Sequence, residues 1–445
     1  MSEQLQRRQI ADQIFFNVVS DQRFKSNRIS VNLVLPLERD RVTVNALVPF
    51  LLRKGCRECP DFTKLNQKLC LLYGASLDGD VSKYGGVQIL NLSIQSLDNR
   101  FAIDGEDVSA QCADLLANLL LDPHFVDGAF DPKDTELEKK VLLDTIQSEI
   151  NEKRTYAVSQ CVQEMFRGEP FAVKKYGYEQ DVPDITPQSA ARAYRDALER
   201  ARIEILFVGC GDGSGAQEVF ARRFAGWKRS ALPDQTYPVR TQAGPLREKV
   251  EEMEVSQGKL VMGFRLGELK GEAEVDAMKM MIALFGGTPF SKLFVNVREK
   301  YSLCYYCAAR MDRSTGSMLV DSGGEVPNRD KAQQAILHEL EEIRSGSFTD
   351  EDLEAAKLVM QNALQSAGDS LYTLESWYLT QILSGLEQSP SEAALALAKV
   401  TREEIVQAAR QVALDTVYFL KGTVKEPDGS APQASAGAGE EAVQQ

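Results

Sequence analysis

A zinc hydrolase site requires histidine and carboxylate side chains at helical spacing, and this chain offers few of them. The sequence contains two histidines, His124 in LDPHF and His338 in AILHELEEIR. His338 could share a metal ion with Glu341 or Glu342 on one helix face, but the sequence shows no third ligand. We therefore expect His124 to be a turn residue and His338 to face solvent.

Cysteine is the other candidate ligand, and the eight cysteines include two pairs with C-x-x-C spacing, Cys56 with Cys59 and Cys304 with Cys307. Four thiolates could bind one zinc ion, and either pair could be redox-active. The pairs lie in different halves of the chain, and the alternation in SLCYYCAAR predicts a strand that points Cys304 and Cys307 to opposite faces. At this low density we expect reduced thiols that serve as small core residues.

The elements that would position any site fall into two parts. A chain of 445 residues is too long for one hydrophobic core and predicts at least two domains. We predict a first domain over residues 1–228, a linker rich in proline, glycine and charge over 229–257, and a second domain over 258–422. The tail, residues 423–445, has almost no apolar side chains and is predicted to be disordered.

The two halves are similar in pattern. Each opens on a strand, SVNLVLPL or KLVMGFRL, and continues through helices and further strands to closing helices. The stretch FDPKDTELEKKVLLDTI from Phe130 aligns with FTDEDLEAAKLVMQNAL from Phe348, which indicates a duplication. In both, an acidic first turn precedes an apolar stripe, which includes Leu137 and Val141 in the first half. The pattern predicts an α+β fold with an antiparallel or mixed sheet and helices on one face.

Charge and hydropathy exclude two classes of partner. The net charge of −14 argues against nucleic acid, because phosphate binding needs clustered Lys and Arg. No segment approaches the ~20 consecutive apolar residues that span a bilayer, and the N-terminal stretch has no signal-peptide core. We expect no membrane partner and a soluble, cytoplasmic protein.

The stretch LFGGTPFSKLFVNVREKYSLCYY resembles the second-half signature of the pitrilysin/insulinase metalloprotease family, which includes the mitochondrial processing peptidases. A glycine-rich turn, a Ser-x-Leu-Phe helix and the motif R-E-K-x-x-L-x-Y carry the resemblance. The motif residues are Arg298, Glu299, Lys300, Leu303 and Tyr305. The resemblance extends over both halves and is weaker in the first. It implies two homologous α/β roll domains, each with a mixed, mostly antiparallel sheet, that together form half of a clamshell.

Active members of that family bind zinc through H-x-x-E-H and a later glutamate, with the glutamate of the motif as general base. Here TVNALVPFLLRKGC places Ala46, Pro49 and Phe50 at the motif positions, and EKKVLLDT places Thr145 at the later one. Alkyl, pyrrolidine and phenyl groups donate no lone pair to a metal. We therefore expect no metal or other cofactor in this chain, and zinc only in a partner subunit. Pro49 also predicts a kinked or restarted helix.

By the same resemblance, Arg298 and Tyr305 bind carbonyl oxygens of a peptide substrate near the scissile bond. A guanidinium and a phenol can both donate to an oxygen that gains negative charge during hydrolysis. Without the resemblance, Arg298 would be interpreted as a helix-surface residue and Tyr305 as a buried strand aromatic.

Two functions stay open at this point. In the first, the chain is catalytically incomplete and forms a heterodimer with a paralogous H-x-x-E-H subunit, to which it contributes Arg298, Tyr305 and the wall of a peptide-processing chamber. In the second, it is a structural scaffold that resembles the core subunits of the bc1 complex and takes no part in proteolysis. Bacterial family members often occur as such pairs, and the resemblance links one subgroup to modification of elongation factor P.

Overall fold

The computed structural model describes residues 4–230 and 237–423, so the predicted tail from residue 424 and part of the predicted linker lie outside the described residues. The strands are β1 (Leu5–Ala11), β2 (Ile14–Ser20), β3 (Ser26–Pro36), β4 (Ser76–Tyr84), β5 (Val87–Leu97), β6 (Phe125–Val126), β7 (Ala129–Phe130), β8 (Arg202–Gly209), β9 (Arg247–Met253), β10 (Gly258–Arg265), β11 (Tyr306–Asp312), β12 (Ser317–Gly324) and β13 (Ala413–Gly422).

The helices are α1 (Val42–Leu52), α2 (Phe62–Leu71), α3 (Val108–Leu121), α4 (Pro132–Ser148), α5 (Lys153–Met165), α6 (Pro187–Arg200), α7 (Ser214–Phe224), α8 (Glu272–Ile282), α9 (Arg329–Arg344), α10 (Asp350–Ser366), α11 (Leu371–Leu383), α12 (Pro390–Ala398) and α13 (Arg402–Gln411). Two π-helical segments, Ala283–Gly287 and Leu293–Lys300, lie between α8 and β11. Within the described ranges, no helix is both long and apolar enough to cross a membrane.

The strands form two large sheets with the same topology. The first has the order β1-β2-β8-β3-β5-β4, and the second has the order β11-β12-β10-β13-β9. Read in reverse, the second sheet matches the first without β1. In each sheet one pair is parallel, β2 with β8 and β13 with β9, and the other pairs are antiparallel. The predicted α+β class, with mixed and mostly antiparallel sheets, is confirmed, and the matching order supports the duplication.

The segment predicted as a linker, residues 229–257, contains a strand of the second sheet. β9 pairs in parallel with β13, from Arg247 opposite Thr416 to Met253 opposite Gly422. Its sequence REKVEEM has no buried side chain, because β9 is an edge strand that alternates half-buried with exposed residues. An edge strand of charged residues has no apolar signal that could separate it from a linker, so the predicted start of the second half at residue 258 is too late.

One face of each sheet carries the main core. In the first half, side chains such as Phe16, Val31 and Leu92 pack against α1, α3, α6 and α7. In the second half, Met262 and Phe264 of β10 pack against helices that include α8, α9 and α13. Apolar residues at alternate positions give each strand one apolar face, and the sheet buries that face under helices.

The opposite face of each sheet is covered by a helix from the other half, which the prediction of helices on one face did not include. α5 of the first half packs on β10 and β13, and α11 of the second half packs on β8. The packed side chains are Ala157, Cys161, Val261, Tyr418 and Leu420 for α5, and Leu374, Tyr378, Val19, Leu206 and Val208 for α11. An ion pair accompanies each contact, Arg154 with Asp321 and Arg28 with Glu375. The halves therefore exchange helices.

Candidate functional site

The helix predicted to carry the altered zinc motif is α1, and it fills those positions with packed apolar groups. Ala46 is 0% exposed, Pro49 is buried inside the helix, and Phe50 is half-buried with the Arg53 guanidinium 5.2 Å from its ring. The helix does not restart at Pro49: α1 continues to Leu52, and the Arg53 N–H donates to the Pro49 carbonyl at 3.2 Å. A proline one turn before a helix end removes a single backbone bond, which the helix tolerates.

Thr145, at the position of the later ligand, lies on α4, which packs against α1. Its hydroxyl donates to the Val141 carbonyl at 2.8 Å and so is used within its own helix. The buried carboxylate of α4 is Glu138, which pairs with Lys54 just after α1 at 2.5 Å. Among residues 4–230 and 237–423, no three His, Cys, Asp or Glu side chains are placed to hold a metal ion. The residues present here do not fit zinc.

An ion pair and a hydroxyl hold the first turn of α1. Asp181 accepts hydrogen bonds from Arg39 at 2.6 Å and from the Thr43 hydroxyl at 2.7 Å. The Arg39 hydrogen bond lowers the pKa of Asp181 below its usual value; burial opposes this, and the Thr43 hydrogen bond adds to it. The loop before α1 is thus fixed to the segment before α6.

This contact predicts a pH dependence of stability. Because the folded pKa of Asp181 is lowered, the unfolded chain binds the proton first as pH falls, and stability is lost from about pH 4 downward through the folded pKa. Asp181→Asn should reduce that acid loss and flatten the curve below pH 5, as measured by urea unfolding over a pH series. Asp40→Asn, an exposed carboxylate in the same loop, is the control. Identical acid limbs in wild type and Asp181→Asn would contradict this prediction.

Part of the apolar stripe predicted for α4 faces solvent. Leu137 is 51% exposed and Val141 is 45% exposed, one turn apart on the helix that carries Thr145. The predicted stripe is not the buried face of α4, which consists of Thr135, Glu138 and Leu142. A stripe in the sequence does not reveal whether its own chain covers it. Leu137 and Val141 leave an apolar strip on the surface beside the altered motif.

Arg298 and Tyr305 line one open cavity in the second half. The cavity has a volume of about 340 Å³, and its wall also includes Glu299, Ser302, Cys304 and Glu325. Arg298, on the second π-helical segment, has its guanidinium 4.4 Å from the Phe294 ring centre and 3.4 Å from the Glu299 carboxylate. Tyr305 is 40% exposed and anchored by its N–H, which donates to the Gly323 carbonyl at 2.7 Å.

The exposure of Tyr305 differs from the buried strand aromatic that its sequence alone would suggest. β11 begins one residue later, at Tyr306, so Tyr305 lies in the bend before the strand. The alternation that buries every second residue of a strand therefore does not apply to its ring. The structure therefore brings together the two residues predicted to bind substrate. It places the four altered zinc positions elsewhere, on α1 and α4 of the first half.

The same bend changes the geometry of the second cysteine pair. Cys304 precedes β11 and lines the cavity, and Cys307 is the second residue of the strand. The strand alternation expected for SLCYYCAAR does not extend to Cys304, because β11 begins at Tyr306. Sequence reasoning did not include Cys304 in this site, although its C-x-x-C spacing next to the Arg298 motif was a usable signal.

Comparison with known proteins shows what this fold is similar to. The sequence model described as Peptidase M16 inactive domain matches residues 184–360. The chain is also 30% identical, over 407 residues, to the probable inactive metalloprotease YmfF of Bacillus subtilis strain 168, with 92% of this chain and 95% of that protein covered. This chain belongs to the peptidase M16 family. The family predicted from the sequence is confirmed, and the link to elongation factor P stays a prediction.

Solved structures agree with the M16 fold. A conserved protein from Enterococcus faecalis V583 matches with a TM-score of 0.85 and 25% identity, covering 95% of this chain and 100% of that one. A chain of Complex III2 from Candida albicans matches with a TM-score of 0.72 and 12% identity, covering 93% and 95% respectively. The second likeness concerns the fold alone. The matching family model and the Bacillus subtilis relative are both described as inactive, so the chain is an M16 homologue of the inactive type.

Proposed function

We propose that this chain is the metal-free subunit of a two-chain peptide-processing protease. In the proposal, a paralogous partner with an intact H-x-x-E-H motif binds zinc and activates water. This chain contributes Arg298, Tyr305 and part of the chamber wall. The observation that carries the proposal is the cavity shared by Arg298 and Tyr305 in a chain whose metal positions hold no ligand.

The residues at the metal positions support a division of labour. Ala46 and Pro49 are packed into the first core, and a histidine in place of Ala46 would need space that a side chain with 0% exposure does not have. The packing of α1 therefore leaves no room for a metal ligand at position 46. A chain of this kind can assist hydrolysis only through groups that bind the substrate.

The cavity offers such groups. The Arg298 side chain is 39% exposed, and its guanidinium contacts Phe294 and Glu299. Because these contacts already restrict the guanidinium, it loses less conformational entropy when it binds an oxygen. The Tyr305 phenol is an O–H donor beside it in the same wall. Donors fixed before the reaction stabilise a carbonyl oxygen as it becomes an oxyanion, without further reorganisation. The acidic residues Glu299 and Glu325 favour a substrate segment with a basic side chain nearby.

The proposed partner contact has a second support in the first half. Leu137 and Val141 keep exposed fractions of 51% and 45% beside the described residues of this chain, so the apolar strip is available to a partner. One solved structure with a similar fold is a chain of Complex III2. We also propose a cytoplasmic location, which the eight cysteines support because all are free thiols.

Reconstitution tests this proposal. We expect neither this chain nor the H-x-x-E-H paralogue from the same genome to cleave a quenched fluorescent peptide library alone, whereas the mixture cleaves it. Metal analysis should find one zinc per pair, bound by the paralogue, and a chelator should leave the Tm of this chain unchanged. Stoichiometric zinc in this chain, or full activity of the paralogue alone, would contradict the proposal.

The scaffold is the second candidate, favoured by the likeness to a chain of Complex III2. It predicts a stable complex whose peptide cleavage, if any, does not depend on Arg298 or Tyr305. The effect of Arg298 substitution on the reconstituted pair separates the two functions.

A further inference from the structure

A larger cavity than that of Arg298 and Tyr305 lies between the two halves, on the side of the first sheet that α11 covers. Its volume is about 790 Å³, and its wall includes Asp80 of β4, Asn91 of β5, Asn32 of β3 and Gln381 of α11. Asp80 pairs with Asn91 in the strand register, and Asn91 pairs with Asn32, so these three side chains share one face of the sheet. The proposed function uses none of them.

The polar character of this face is not explained by helix packing. Toward β2 and β8 the same face is apolar, and there it packs against α11 through Val19, Leu206 and Val208. Toward β4 the face becomes polar, with Asp78, Asp80 and Ser82 at alternate positions of the strand. The change from apolar to polar side chains coincides with the cavity.

One carboxylate on the same face shows how the chain compensates a buried charge. Glu204 of β8 is 0% exposed and accepts hydrogen bonds from Arg7 at 2.7 Å, from Arg202 at 2.6 Å and from Asn17 at 2.8 Å. Two guanidinium groups and an amide thus satisfy a single structural carboxylate. The aspartates of the cavity have no comparable set of donors among the described residues.

Asp80 has one carboxylate oxygen left for a ligand. Its Oδ1 accepts from the Val81 N–H at 2.7 Å and from the Tyr176 hydroxyl at 3.4 Å, whereas its Oδ2 accepts from no donor in the described ranges. Asp78, two residues earlier on the same face of β4, has the Arg53 guanidinium at 3.5 Å. The acceptor capacity of this wall therefore exceeds the donors that surround it.

The cation in the wall is already engaged. Arg28 forms an ion pair with Glu375 of α11 and donates to the Ser93 hydroxyl at 2.9 Å. The described lining residues include three carboxylates, of Asp78, Asp80 and Glu375, and the one guanidinium of Arg28, so negative charge is in excess by two. A cavity with this balance favours a positively charged ligand over a neutral or anionic one.

Gln381 supplies an acceptor from the helical wall of the cavity. The residue lines the cavity and is 8% exposed, yet its Oε1 has no hydrogen-bond partner within residues 4–230 and 237–423. A buried amide oxygen without a donor destabilises the folded state, so native structures rarely contain one without a reason. A ligand that brings N–H groups into the cavity would satisfy this oxygen.

We propose that this cavity binds a guanidinium group, with Asp80 Oδ2 and Gln381 Oε1 as acceptors and Asp78 as a further negative charge. A guanidinium carries several N–H donors and no acceptor, so a single group can donate to more than one of these oxygens. A metal ion fits less well, because the described part of the chain has no three His, Cys, Asp or Glu side chains placed to hold one.

The guanidinium can come from two sources. One is an arginine side chain of a bound peptide, and the other is a small free compound such as agmatine. Both present the same group to Asp80 and Gln381, and they differ in what surrounds it. The site itself does not depend on the proposed function, because its acceptors lie in a different cavity from Arg298 and Tyr305.

Isothermal titration calorimetry of the full chain tests the site. The probes are N-acetyl-arginine methylamide for a peptide arginine and agmatine for a free compound, and the citrulline analogue of the first probe is the matched uncharged control. We expect the arginine probe to bind about tenfold more tightly than its citrulline analogue, since hydrogen bonds from a charged group are stronger than neutral ones. Tighter binding of the arginine probe than of agmatine would identify a peptide as the source, and the reverse order a free compound.

Two variants locate the bound probe. Asp80→Asn keeps the oxygen that accepts from Val81 and Tyr176 but removes the charge, so the affinity should fall about tenfold while the Tm stays close to that of wild type. Gln381→Leu removes the unpartnered oxygen and should lower the affinity about fivefold without lowering the Tm. Asp40→Asn, an exposed carboxylate outside the cavity, should leave the affinity unchanged.

Three results would overturn the site. The first is equal affinity for the arginine probe and its citrulline analogue, and the second is no measurable binding of either guanidinium probe. The third is binding that Glu325→Gln weakens and Asp80→Asn does not, which would place the cation in the Arg298–Tyr305 cavity. Guanidinium binding by a chain whose reconstituted pair never cleaves peptide would refute the proposed function and leave this site standing.

Discussion

Replacing Arg298 by alanine should lower kcat/KM for peptide cleavage by the reconstituted pair by about 100-fold, the typical cost of losing one donor to a developing oxyanion. Arg298 lies in the cavity wall with its guanidinium fixed by Phe294 and Glu299, so the loss removes an oriented charge. Because the interaction strengthens in the transition state, most of the loss should be in kcat, with a smaller rise in KM. Initial rates over a range of peptide concentrations measure both.

Two variants make that result specific. Tyr305→Phe removes one hydroxyl from the same wall and should cost about 10-fold, since a single neutral hydrogen bond contributes less than a guanidinium. Lys300→Ala, an exposed cation on the same π-helical segment whose ammonium lies 5.3 Å from the Tyr301 ring, should stay within twofold of wild type. Equal rates for wild type, Arg298→Ala and Tyr305→Phe would favour the scaffold.

The largest effect on stability is expected for Asp415→Ala, at about 3–5 kcal/mol in the free energy of unfolding. Arg265 of β10 is 0% exposed, and the Asp415 carboxylate, 1% exposed, accepts from its Nε at 3.3 Å and from Arg240 at 2.9 Å. Two carbonyls, of Met165 and Arg240, complete the guanidinium's hydrogen bonds. In the Asp415→Ala variant, the carboxylate that stays near the buried Arg265 guanidinium is that of Glu169, at 3.8 Å.

Urea unfolding at neutral pH measures this loss, and a surface pair provides its control. Asp350 pairs with Arg402 at 2.5 Å but is 91% exposed at the side chain, so Asp350→Ala should cost less than about 1 kcal/mol. Replacing Arg265 and Asp415 together by leucine should recover part of the loss, because it removes the unpaired charge. Similar losses in the free energy of unfolding for Asp415→Ala and Asp350→Ala would contradict the prediction that burial makes the Arg265–Asp415 ion pair costly to break.

Much of the fold follows from the sequence where one face of an element is buried in its own half. β5 lies at VQILNLSIQSL as predicted, because Leu90, Leu92 and Ile94 alternate along the strand and enter the core of their own half. β9 was missed since most of its side chains are charged and none is buried. The coverage of each sheet by α5 and α11 could not be predicted either. An amphipathic pattern shows that a helix has an apolar face, but it does not show which sheet that face meets.

The site divides in the same way. The resemblance over the motif R-E-K-x-x-L-x-Y predicted a common role for Arg298 and Tyr305, and both line one cavity. The position of Cys304 in the cavity wall could not be predicted, because it depends on β11 beginning at Tyr306 and not at Ser302. A shift of a few residues in a strand start decides whether a side chain follows the alternation of the strand or lies in the bend before it.

The exchange of α5 and α11 also constrains how the chain is made. While the ribosome is still translating the second half, the finished strands β2 and β8 present Val19, Leu206 and Val208 with no cover, since α11 has not yet emerged. A nascent chain in this state exposes an apolar sheet face, the kind of surface that chaperones bind and that otherwise aggregates. Folding of the first half is therefore completed only after synthesis has passed residue 383.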